Sequence, residues 1–397
     1  MDDPYNNRMK FTQSAPPRPP ARNASQPVQN PATVWSGLIN AASAHGLEFR
    51  PPSETSGPAF NPLPNGPDDW PAQAKGVICA LTDHSVLKVS GDDAETFLQG
   101  QLTNDLAALA PGMAQRNGLC SPKGRLIADF LAIRLENDYL LILSSTLAEA
   151  VRKRLSMFVM RAKVEIQDAT DQYLPLGCLG SEPAGEAPFS PAWPALLTVQ
   201  HTAEGFCIGL EPVASAHNHW RRMLILMPAP TLTQQLSDWP DIWPLAPTAW
   251  WQTGEVLAGT PRIELPSTDA FVPQMINFEL VGGVSFQKGC FPGQEVVART
   301  QYLGKLKRRA SIGWVASAEP IPVSSEVTGA DDAVIGSVLV SGPGAPLGQP
   351  DRQWVLFETR LAALADANPA KINGQPVILT ELPYEIPVAE RFERPDL

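Results

Sequence analysis

The stretch FQKGCFPGQEVVARTQYLGKLKRR, residues Phe286–Arg309, holds one cysteine in a setting that no other cysteine of the chain has. Cys290 lies in a short loop, and Gly289 and Gly293 free the backbone on either side of it. Helical spacing of apolar residues then runs over Gln294–Tyr302. The stretch therefore predicts an exposed cysteine just ahead of the N-terminus of a helix.

The charge around Cys290 favours a thiolate, because a helix N-terminus and nearby cations both lower the pKa of a thiol. A nucleophilic or metal-ligating cysteine needs such a setting. The same residues also fit a cysteine that only packs in a loop beside a solvated basic helix end. That basic end could bind phosphate, a polyglutamate chain or RNA. Six cations stand against the one acid Glu295, a local charge of +5, and they are Lys288, Arg299, Lys305, Lys307, Arg308 and Arg309.

The composition of the whole chain limits the classes of partner. The 397 residues have a formal net charge of −11, which argues against broad electrostatic binding of nucleic acid or anionic membrane. No stretch approaches the roughly 18–20 consecutive apolar residues of a membrane helix. Five cysteines without a CxxC pair predict neither a disulfide framework nor a zinc site. We expect a reducing compartment and three cysteines buried in apolar runs, which are Cys79, Cys178 and Cys207.

Changes in composition divide the chain into segments. Residues 1–72 are rich in Pro, Asn, Ser and Ala and predict a mostly disordered tail, with one short helix around 34–46. Residues 73–308 alternate strands and helices and predict an α+β region of two subdomains with antiparallel sheets. A Pro/Ala/Glu-rich stretch at about 180–195 predicts a surface insertion within that region. Short strands with Gly/Pro turns predict a small β-barrel over 309–385.

Two predicted helices have clear apolar faces. The first begins after polar residues at Ser90 and Asp92, and it places Ala94, Phe97, Leu98 and Leu102 on one face. The second runs over Leu147–Met160 with a capping box of Thr146 and Glu149. Its predicted buried residues are Leu147, Val151, Leu155 and Phe158. Between the two helices, strands at 113–120, 125–135 and 139–143 predict an antiparallel meander.

Two further groups of residues are candidate sites. Asp129 is the one acid in the apolar strand LIADFLAI, where a carboxylate is costly unless it is paired or bound to a ligand. It could pair with Arg125 or Arg134. His217 and His219 have the spacing of a metal pair on a strand, but no nearby residue completes a ligand set, so solvent-facing histidines are favoured.

The stretch KGCFPGQEVVAR resembles the K-G-C-[YF]-x-G-Q-E-x3-R signature of the YgfZ family. Three further stretches resemble the same family: SGDDAETFLQGQLTND, SPKGRLIADF and AGTPRIELPSTDAFVPQMINFELVGGVSF. The resemblance covers residues 76–380 apart from the insertion. The family comprises folate-binding relatives of the glycine-cleavage T protein that act in iron–sulfur cluster metabolism. It therefore implies a T-protein-like three-domain ring around a central folate pocket, with a C-terminal β-barrel.

The resemblance also implies roles for particular residues. Trp251 matches a tryptophan that contacts folate, and His84 stands where the family has its other folate tryptophan. Asp129 would hydrogen-bond the pterin, while Ala128 replaces one of two adjacent acids of the T protein, which argues against T-protein transferase chemistry. Cys290 would be a redox thiol or a shared iron–sulfur ligand. The remaining candidates for contact with folate or the cysteine site are Arg125, Arg262, Asn277, Lys288, Gln294, Glu295 and Arg299.

The expected function is that of a folate-binding accessory factor for iron–sulfur cluster assembly or maintenance, supporting tRNA-modifying iron–sulfur enzymes. The expected ligands are tetrahydrofolate and a transient iron–sulfur cluster. The expected partners are iron–sulfur assembly proteins or client enzymes, with no direct nucleic acid and no membrane. The bacterial cytoplasm is favoured over a mitochondrial matrix. The alternative is a tetrahydrofolate-dependent aminomethyl or one-carbon transferase in which Asp129 is the acid–base group.

Overall fold

The structure is a computed structural model, and it describes residues 35, 49–50, 59–60, 75–181, 187–190, 192–214, 219–235, 243–303, 306–364 and 370–387. The strands of the first half are β1 (Phe49–Arg50), β2 (Ala59–Phe60), β3 (Gly76–Ala80), β4 (His84–Ser90), β5 (Met113–Cys120), β6 (Leu126–Arg134), β7 (Tyr139–Ser144), β8 (Glu165–Asp168) and β9 (Leu174–Ser181). Those of the second half are β10 (Val199–His201), β11 (Phe206–Ala214), β12 (His219–Met227), β13 (Leu245–Ala246), β14 (Arg308–Ala316), β15 (Glu326–Thr328), β16 (Val334–Pro343), β17 (Arg352–Arg360), β18 (Lys371–Ile372), β19 (Gln375–Pro376) and β20 (Ile378–Thr380). The helices are α1 (Ala94–Gln99), α2 (Ser145–Val159), α3 (Ala229–Gln235), α4 (Thr248–Leu257), α5 (Gln294–Tyr302) and α6 (Leu361–Leu364), with 3-10 turns at Leu265–Ser267, Pro273–Ile276 and Ala345–Leu347.

Sheet I has the strand order β5-β6-β7-β4-β8, and every neighbouring pair is antiparallel. The predicted meander is confirmed as β5, β6 and β7. Helices α1 and α2 contribute to the apolar core of this sheet. The apolar face predicted for α1 is also confirmed, because Ala94, Phe97, Leu98 and Leu102 are all buried.

Helix α2 differs from its prediction at both ends. Leu147, Val151 and Leu155 are buried as predicted, but Phe158 is 48% exposed because the last turn of the helix extends beyond the core. The predicted capping box is absent from this described helix, whose N-cap is Ser144 without a side-chain cap. Glu149 instead binds Arg152 and Lys153 farther along the helix.

Sheet II has the strand order β10-β11-β12-β9-β3-β13. Its pairs are antiparallel except for the short parallel contact of β13 with β3. One face of this sheet packs with α4 and sheet I residues around Trp250 and Trp251. The predicted burial of Cys79, Cys178 and Cys207 in its strands is confirmed.

Sheet III contains the C-terminal strands in the order β19-β18-β15-β16-β17-β14-β20, all antiparallel. It forms a nearly closed barrel, which confirms the predicted C-terminal β-barrel and the α+β class. Helix α4 joins this barrel to sheet II. A Cβ on Gly342 of β16 would lie 2.4 Å from the backbone N of Thr253, and the Thr253 hydroxyl donates to Pro343 O at 2.8 Å. Helix α4 therefore contacts the barrel through Thr253 and packs with residues of sheets I and II through Trp250 and Trp251.

The segments predicted as tail and insertion contribute to packing wherever they are described. In the tail, β1 pairs with β2, and Trp35 is fully buried in the core cluster on the other face of sheet II. The prediction was a mostly disordered tail, and the burial of Trp35 gives this described residue a place in the core, because a large indole ring gains much free energy from burial. In the insertion, Trp193 packs on Trp243 at 6.2 Å between ring centroids. Most of the predicted 34–46 helix lies outside the described residues.

No helix within the described ranges is both long enough and apolar enough to span a membrane.

Candidate functional site

A cluster of charged side chains lies between sheet I, sheet II and α4, which we call the buried charged cluster. It comprises Asp83, Arg116, Asp129, Glu211, Arg222, Glu255, Arg262 and Glu264, with His84 and Trp251 beside them. Charges withdrawn from water are costly unless they are paired or bound to a ligand. Because so many buried charges lie together here, we take this cluster as the candidate site.

Helix α4 places Trp251 and Glu255 on the same face, since residues four apart are neighbours along a helix. Trp251 is 2% exposed. A Cβ on Gly177 of β9 would lie 2.3 Å from its ring, so only glycine leaves room for the indole there. The guanidinium carbon of Arg222 lies 4.5 Å from the ring centroid. The indole therefore reaches the site with Arg222 stacked on it.

Arg262 is the centre of the ion pairs in this cluster. It is 5% exposed, and its Nη2 lies 2.8 Å from Asp83 Oδ2 and 3.3 Å from Glu264 Oε1. Its Nη1 lies 3.6 Å from Glu255 Oε2, beyond hydrogen-bond distance. Burial alone would raise the pKa of Asp83, but Arg262 and His84 outweigh burial and hold that pKa well below its usual range. The His84 Nδ1 lies 2.7 Å from Asp83 Oδ1, so His84 is held at the edge of the cluster.

Asp129 pairs with neither Arg125 nor Arg134, the two arginines that the sequence suggested as partners. Arg125 donates to Ala270 O, and Arg134 binds Glu95 at 2.9 Å, because both side chains point away from the cluster. The Asp129 carboxylate instead accepts the backbone N–H of Ile263 at 2.6 Å. Burial raises the pKa of Asp129 to about 6, although the Ile263 N–H and Arg262 oppose the shift. A carboxyl group with this pKa can change its protonation state near neutral pH.

Several polar atoms of the cluster are buried without a hydrogen-bond partner among the described residues. They are Trp251 Nε1, Arg116 Nε, Arg222 Nε and Nη1, Arg262 Nε and Nη1, and Glu255 Oε2. Arg116 also binds Glu211 at 2.6 Å through Nη2. Buried polar groups in native proteins are nearly always satisfied. The cluster therefore fits a polar ligand that brings both hydrogen-bond acceptors and donors.

The cysteine loop lies on the surface, and Cys290 is exposed while the four other cysteines are buried. Lys288 is buried and donates to the carbonyl oxygens of Gln99 and Leu102 at 2.6 and 2.5 Å, just after helix α1. Burial lowers the pKa of Lys288 to about 8, opposed by Asp105. Lys288 therefore fixes the base of the loop and is not a free cation beside the thiol.

The glycine that follows the cysteine packs directly on the β5–β6 hairpin. Gly293 has a φ of +80°, and a Cβ there would lie 2.4 Å from Ser121 O and 2.6 Å from Gly124 Cα. Helix α5 begins at the next residue, as predicted. The hairpin turn thus sets the position of both the loop and the helix.

Replacing Gly293 with Ala is expected to destabilise the fold by about 2 kcal/mol or more, since it adds backbone strain and a clash with backbone atoms. The matched control is Gly289→Ala on the other side of Cys290. No atom lies within 4 Å of a Cβ at Gly289, so that change should stay within about 0.5 kcal/mol of wild type. Urea denaturation of both variants checks the difference, and equal midpoints would contradict it.

The predicted basic cluster of +5 does not form a single free surface. Arg308 pairs with Glu358, and Arg309 is buried against Glu279, because strand β14 carries both into the barrel interface. Arg299 and Lys307 are exposed, and Lys305 lies outside the described residues. The interpretation of this stretch as one phosphate- or RNA-binding patch is therefore wrong for its described cations.

The other predicted site residues lie at the cysteine loop or at the barrel. Asn277 is fully buried and donates to Ala310 O at 3.0 Å, so it joins the 3-10 turn before the loop to β14. Gln294 donates to Lys288 O at 3.5 Å and closes the loop. Glu295 and Arg299 are exposed on α5.

A surface groove of about 490 Å³ runs beside the cysteine loop. Its lining includes Phe286 and Gln287 from the loop and Tyr302 from the end of α5. The Phe286 and Tyr302 rings meet edge to face with centroids 5.9 Å apart. Since Gln287 is three residues from Cys290, their Cα atoms are at most about 11 Å apart. The exposed thiol thus lies next to a concave surface.

Sequence reasoning missed six members of the buried charged cluster: Asp83, Arg116, Glu211, Arg222, Glu255 and Glu264. Glu255 could have been found, because it follows Trp251 by one helical turn. The others come from separate strands and from the segments that contain Asp83 and Glu264, and only the fold brings them together.

Comparisons with known proteins agree with this architecture. The model of the GCVT N-terminal domain matches residues 72–184. The crystal structure of glycine cleavage system aminomethyltransferase T from Bartonella henselae superposes with a TM-score of 0.64 at 15% identity. The match covers 86% of this chain and 95% of that one. The predicted T-protein-like fold is therefore confirmed.

Proteins named tRNA-modifying protein YgfZ are similar in sequence over most of their length. The one from Edwardsiella ictaluri is 32% identical over 252 residues, which are 63% of this chain and 74% of that protein. The one from Photobacterium profundum is 26% identical over 322 residues, 81% of this chain and 88% of that protein. By the extent and identity of these matches, the chain belongs to the YgfZ family.

Proposed function

We propose that this protein is a folate-binding accessory factor for iron–sulfur cluster assembly or maintenance, and that its clients include tRNA-modifying iron–sulfur enzymes. The observation that carries the proposal is the buried charged cluster with its unpartnered donors and acceptors. The exposed thiol of Cys290 next to a surface groove supports the second half. The name of the relatives, tRNA-modifying protein YgfZ, supports the link to tRNA modification.

The cluster suits the chemistry of tetrahydrofolate, which is a flat pterin with an anionic glutamate tail and serves as a carrier of one-carbon groups. Asp129 and Glu255 would accept hydrogen bonds from N–H groups of the pterin. Arg116 and Arg222 would donate to its oxygen and nitrogen acceptors. Trp251 would act through Arg222, because the guanidinium already lies against its ring.

Cys290 would act toward a partner protein. Thiolates are preferred ligands of iron–sulfur clusters, and Cys290 is the thiol that a partner can reach. It would supply one ligand to a cluster in transit, with the other ligands coming from the partner. The bacterial cytoplasm is the expected compartment, because free thiols persist in a reducing environment.

Titration with tetrahydrofolate tests the proposal directly. Wild-type protein is expected to bind, with a change in tryptophan fluorescence, because Trp251 lies at the buried charged cluster against Arg222. Absence of binding by both fluorescence and calorimetry would overturn the folate half of the proposal.

The affinity for tetrahydrofolate is expected to fall as the pH drops through about 6. Since burial raises the pKa of Asp129 to about 6, its carboxylate is ionised at pH 7.5 and mostly protonated at pH 5, where it accepts fewer hydrogen bonds. Asp129→Asn should bind tetrahydrofolate weakly at every pH. Any pH dependence that this variant keeps reports titration of the ligand itself. Asp92→Asn, at an exposed acid in the turn between β4 and α1, is the control and should keep the wild-type profile. Identical profiles for wild type and Asp129→Asn would contradict the assignment.

A tetrahydrofolate-dependent aminomethyl or one-carbon transferase is the second candidate. The raised pKa of Asp129 favours it, since a general acid–base group works best with a pKa near the operating pH. Turnover of an aminomethyl donor by purified wild-type protein, lost in Asp129→Asn, would favour the transferase over the accessory factor.

A further inference from the structure

We propose that Arg222 selects the heterocycle that the buried charged cluster accepts, because its free N–H groups require an oxo group on the ligand. This inference rests on the proposed folate binding and adds the rule by which the site discriminates. A pterin with an oxo group at C4 would bind, and a pterin with an amino group at C4 would be rejected.

The position of Arg222 carries the inference. The residue lies on β12 and is 2% exposed, with its guanidinium 4.5 Å from the centroid of the Trp251 ring. A Cβ at Gly254 of α4 would lie 3.2 Å from Arg222 Nε, so glycine on this helix face leaves room for the side chain. Arg222 is thus held in one place from two sides.

The unpartnered N–H groups of Arg222 determine which ligand groups can bind beside it. Its Nε and Nη1 are buried and have no hydrogen-bond partner within the described ranges of the chain. The neighbouring Trp251 Nε1 is in the same state. Arginine and indole N–H groups can only donate. Any ligand group that faces them must therefore be an acceptor.

The buried charged cluster also contains acceptors. Glu255 Oε2 is buried without a hydrogen-bond partner among described residues, and Asp129 Oδ1 accepts the Ile263 N–H. Asp129 and Arg222 share Arg116 and Glu255 as charged neighbours. The cluster therefore offers both buried donors and buried acceptors to one ligand.

A 4-oxopterin matches these donors and acceptors. Its C4 oxygen is an acceptor, and it stands next to the N–H donors at N3 and the 2-amino group. A 4-amino group reverses the match, since it would place N–H against the guanidinium and leave buried donors unpaired. A site built to hydrogen-bond one group discriminates strongly against an analogue that lacks it. The discrimination is thus expected at C4 and at Arg222.

The test compares tetrahydrofolate with its 4-amino analogue, in which an amino group replaces the C4 oxygen and N3 loses its hydrogen. Calorimetry on the full chain is expected to show at least about tenfold weaker binding of the 4-amino compound by wild type. Arg222→Gln, whose amide both donates and accepts, should bring the ratio of the two affinities clearly closer to one, and what remains reflects the N3 hydrogen that the analogue lacks. Arg221→Gln, at the exposed neighbour on the same strand, should leave the wild-type ratio unchanged.

Each outcome decides whether Arg222 selects the oxo group at C4. Equal affinities for both compounds in wild type would overturn the inference while leaving folate binding intact. An unchanged ratio in a folded Arg222→Gln variant, judged by its melting curve, would overturn it as well. If that variant does not fold, the wild-type ratio decides alone. If neither compound binds wild type, the proposed folate binding fails and this inference fails with it.

Discussion

Cells that carry only a Cys290→Ser variant are expected to lose most of the tRNA modifications that depend on iron–sulfur enzymes. The substitution removes the exposed thiol and replaces it with an alcohol of nearly the same shape. Serine oxygen is a poor ligand for iron in a cluster and does not form disulfides. The readout is the level of those modified nucleosides in total tRNA by mass spectrometry, relative to cells with the wild-type protein.

The structure supplies the reason why this change should leave the rest of the molecule intact. Cys290 is exposed, and the loop is held by Lys288 and Gly293 rather than by the thiol. The variant should therefore bind tetrahydrofolate with the wild-type affinity and melt at the same temperature.

A matched control removes a thiol from the core. Cys207→Ala deletes a buried sulfur of sheet II and should lower stability somewhat while modification continues. Alkylation of the native wild-type protein should label Cys290 before the four buried cysteines. Normal levels of tRNA modification in the Cys290→Ser cells would show that the thiol has no part in the function.

The sequence predicted the local structure well because local structure follows from local patterns. Alternation and turn residues indicated the strands of sheet I and of the barrel, and helical spacing indicated α5 from its first to its last residue. The same reasoning failed for Phe158, which continues the apolar pattern of α2 but lies beyond the core that the helix covers. Periodicity shows which face of a helix is apolar, whereas the size of the surface beneath it is a tertiary property.

The candidate site was predicted only in part, since charge in a sequence does not show where its partners are. Arg308 and Arg309 look like a basic surface in the sequence, yet both have carboxylate partners contributed by distant segments. Arg222 shows the opposite case. It precedes the apolar run MLILM, and alternation along β12 turns it inward while Arg221 stays exposed. Only the position of α4 above the strand reveals that Arg222 belongs to the site.

The largest effect on stability is expected from Arg262→Gln, with a loss of about 3–5 kcal/mol at pH 8. Arg262 is the cation between Asp83, Glu255 and Glu264, and each of these pairs is largely buried. Glutamine is polar and of similar length, but it leaves three carboxylates without their common counter-charge. Removal of one partner from a buried ion pair is costly because the remaining charge stays out of water.

The pH dependence of that loss distinguishes lost charge from lost packing. Without Arg262, the folded-state pKa of Asp83 should rise above its value in the unfolded chain. A carboxyl group with a raised folded-state pKa destabilises the fold at high pH, and the penalty disappears as the pH falls and the group is protonated in the folded state. The difference between wild type and Arg262→Gln should therefore be largest near pH 8 and smaller near pH 5. Urea denaturation across that range is the measurement.

Lys153→Gln, which breaks an exposed pair with Glu149 on α2, should cost less than about 1 kcal/mol at every pH. A loss in Arg262→Gln that stays constant from pH 8 to pH 5 would mean that Arg262 stabilises the fold through packing and not through its charge.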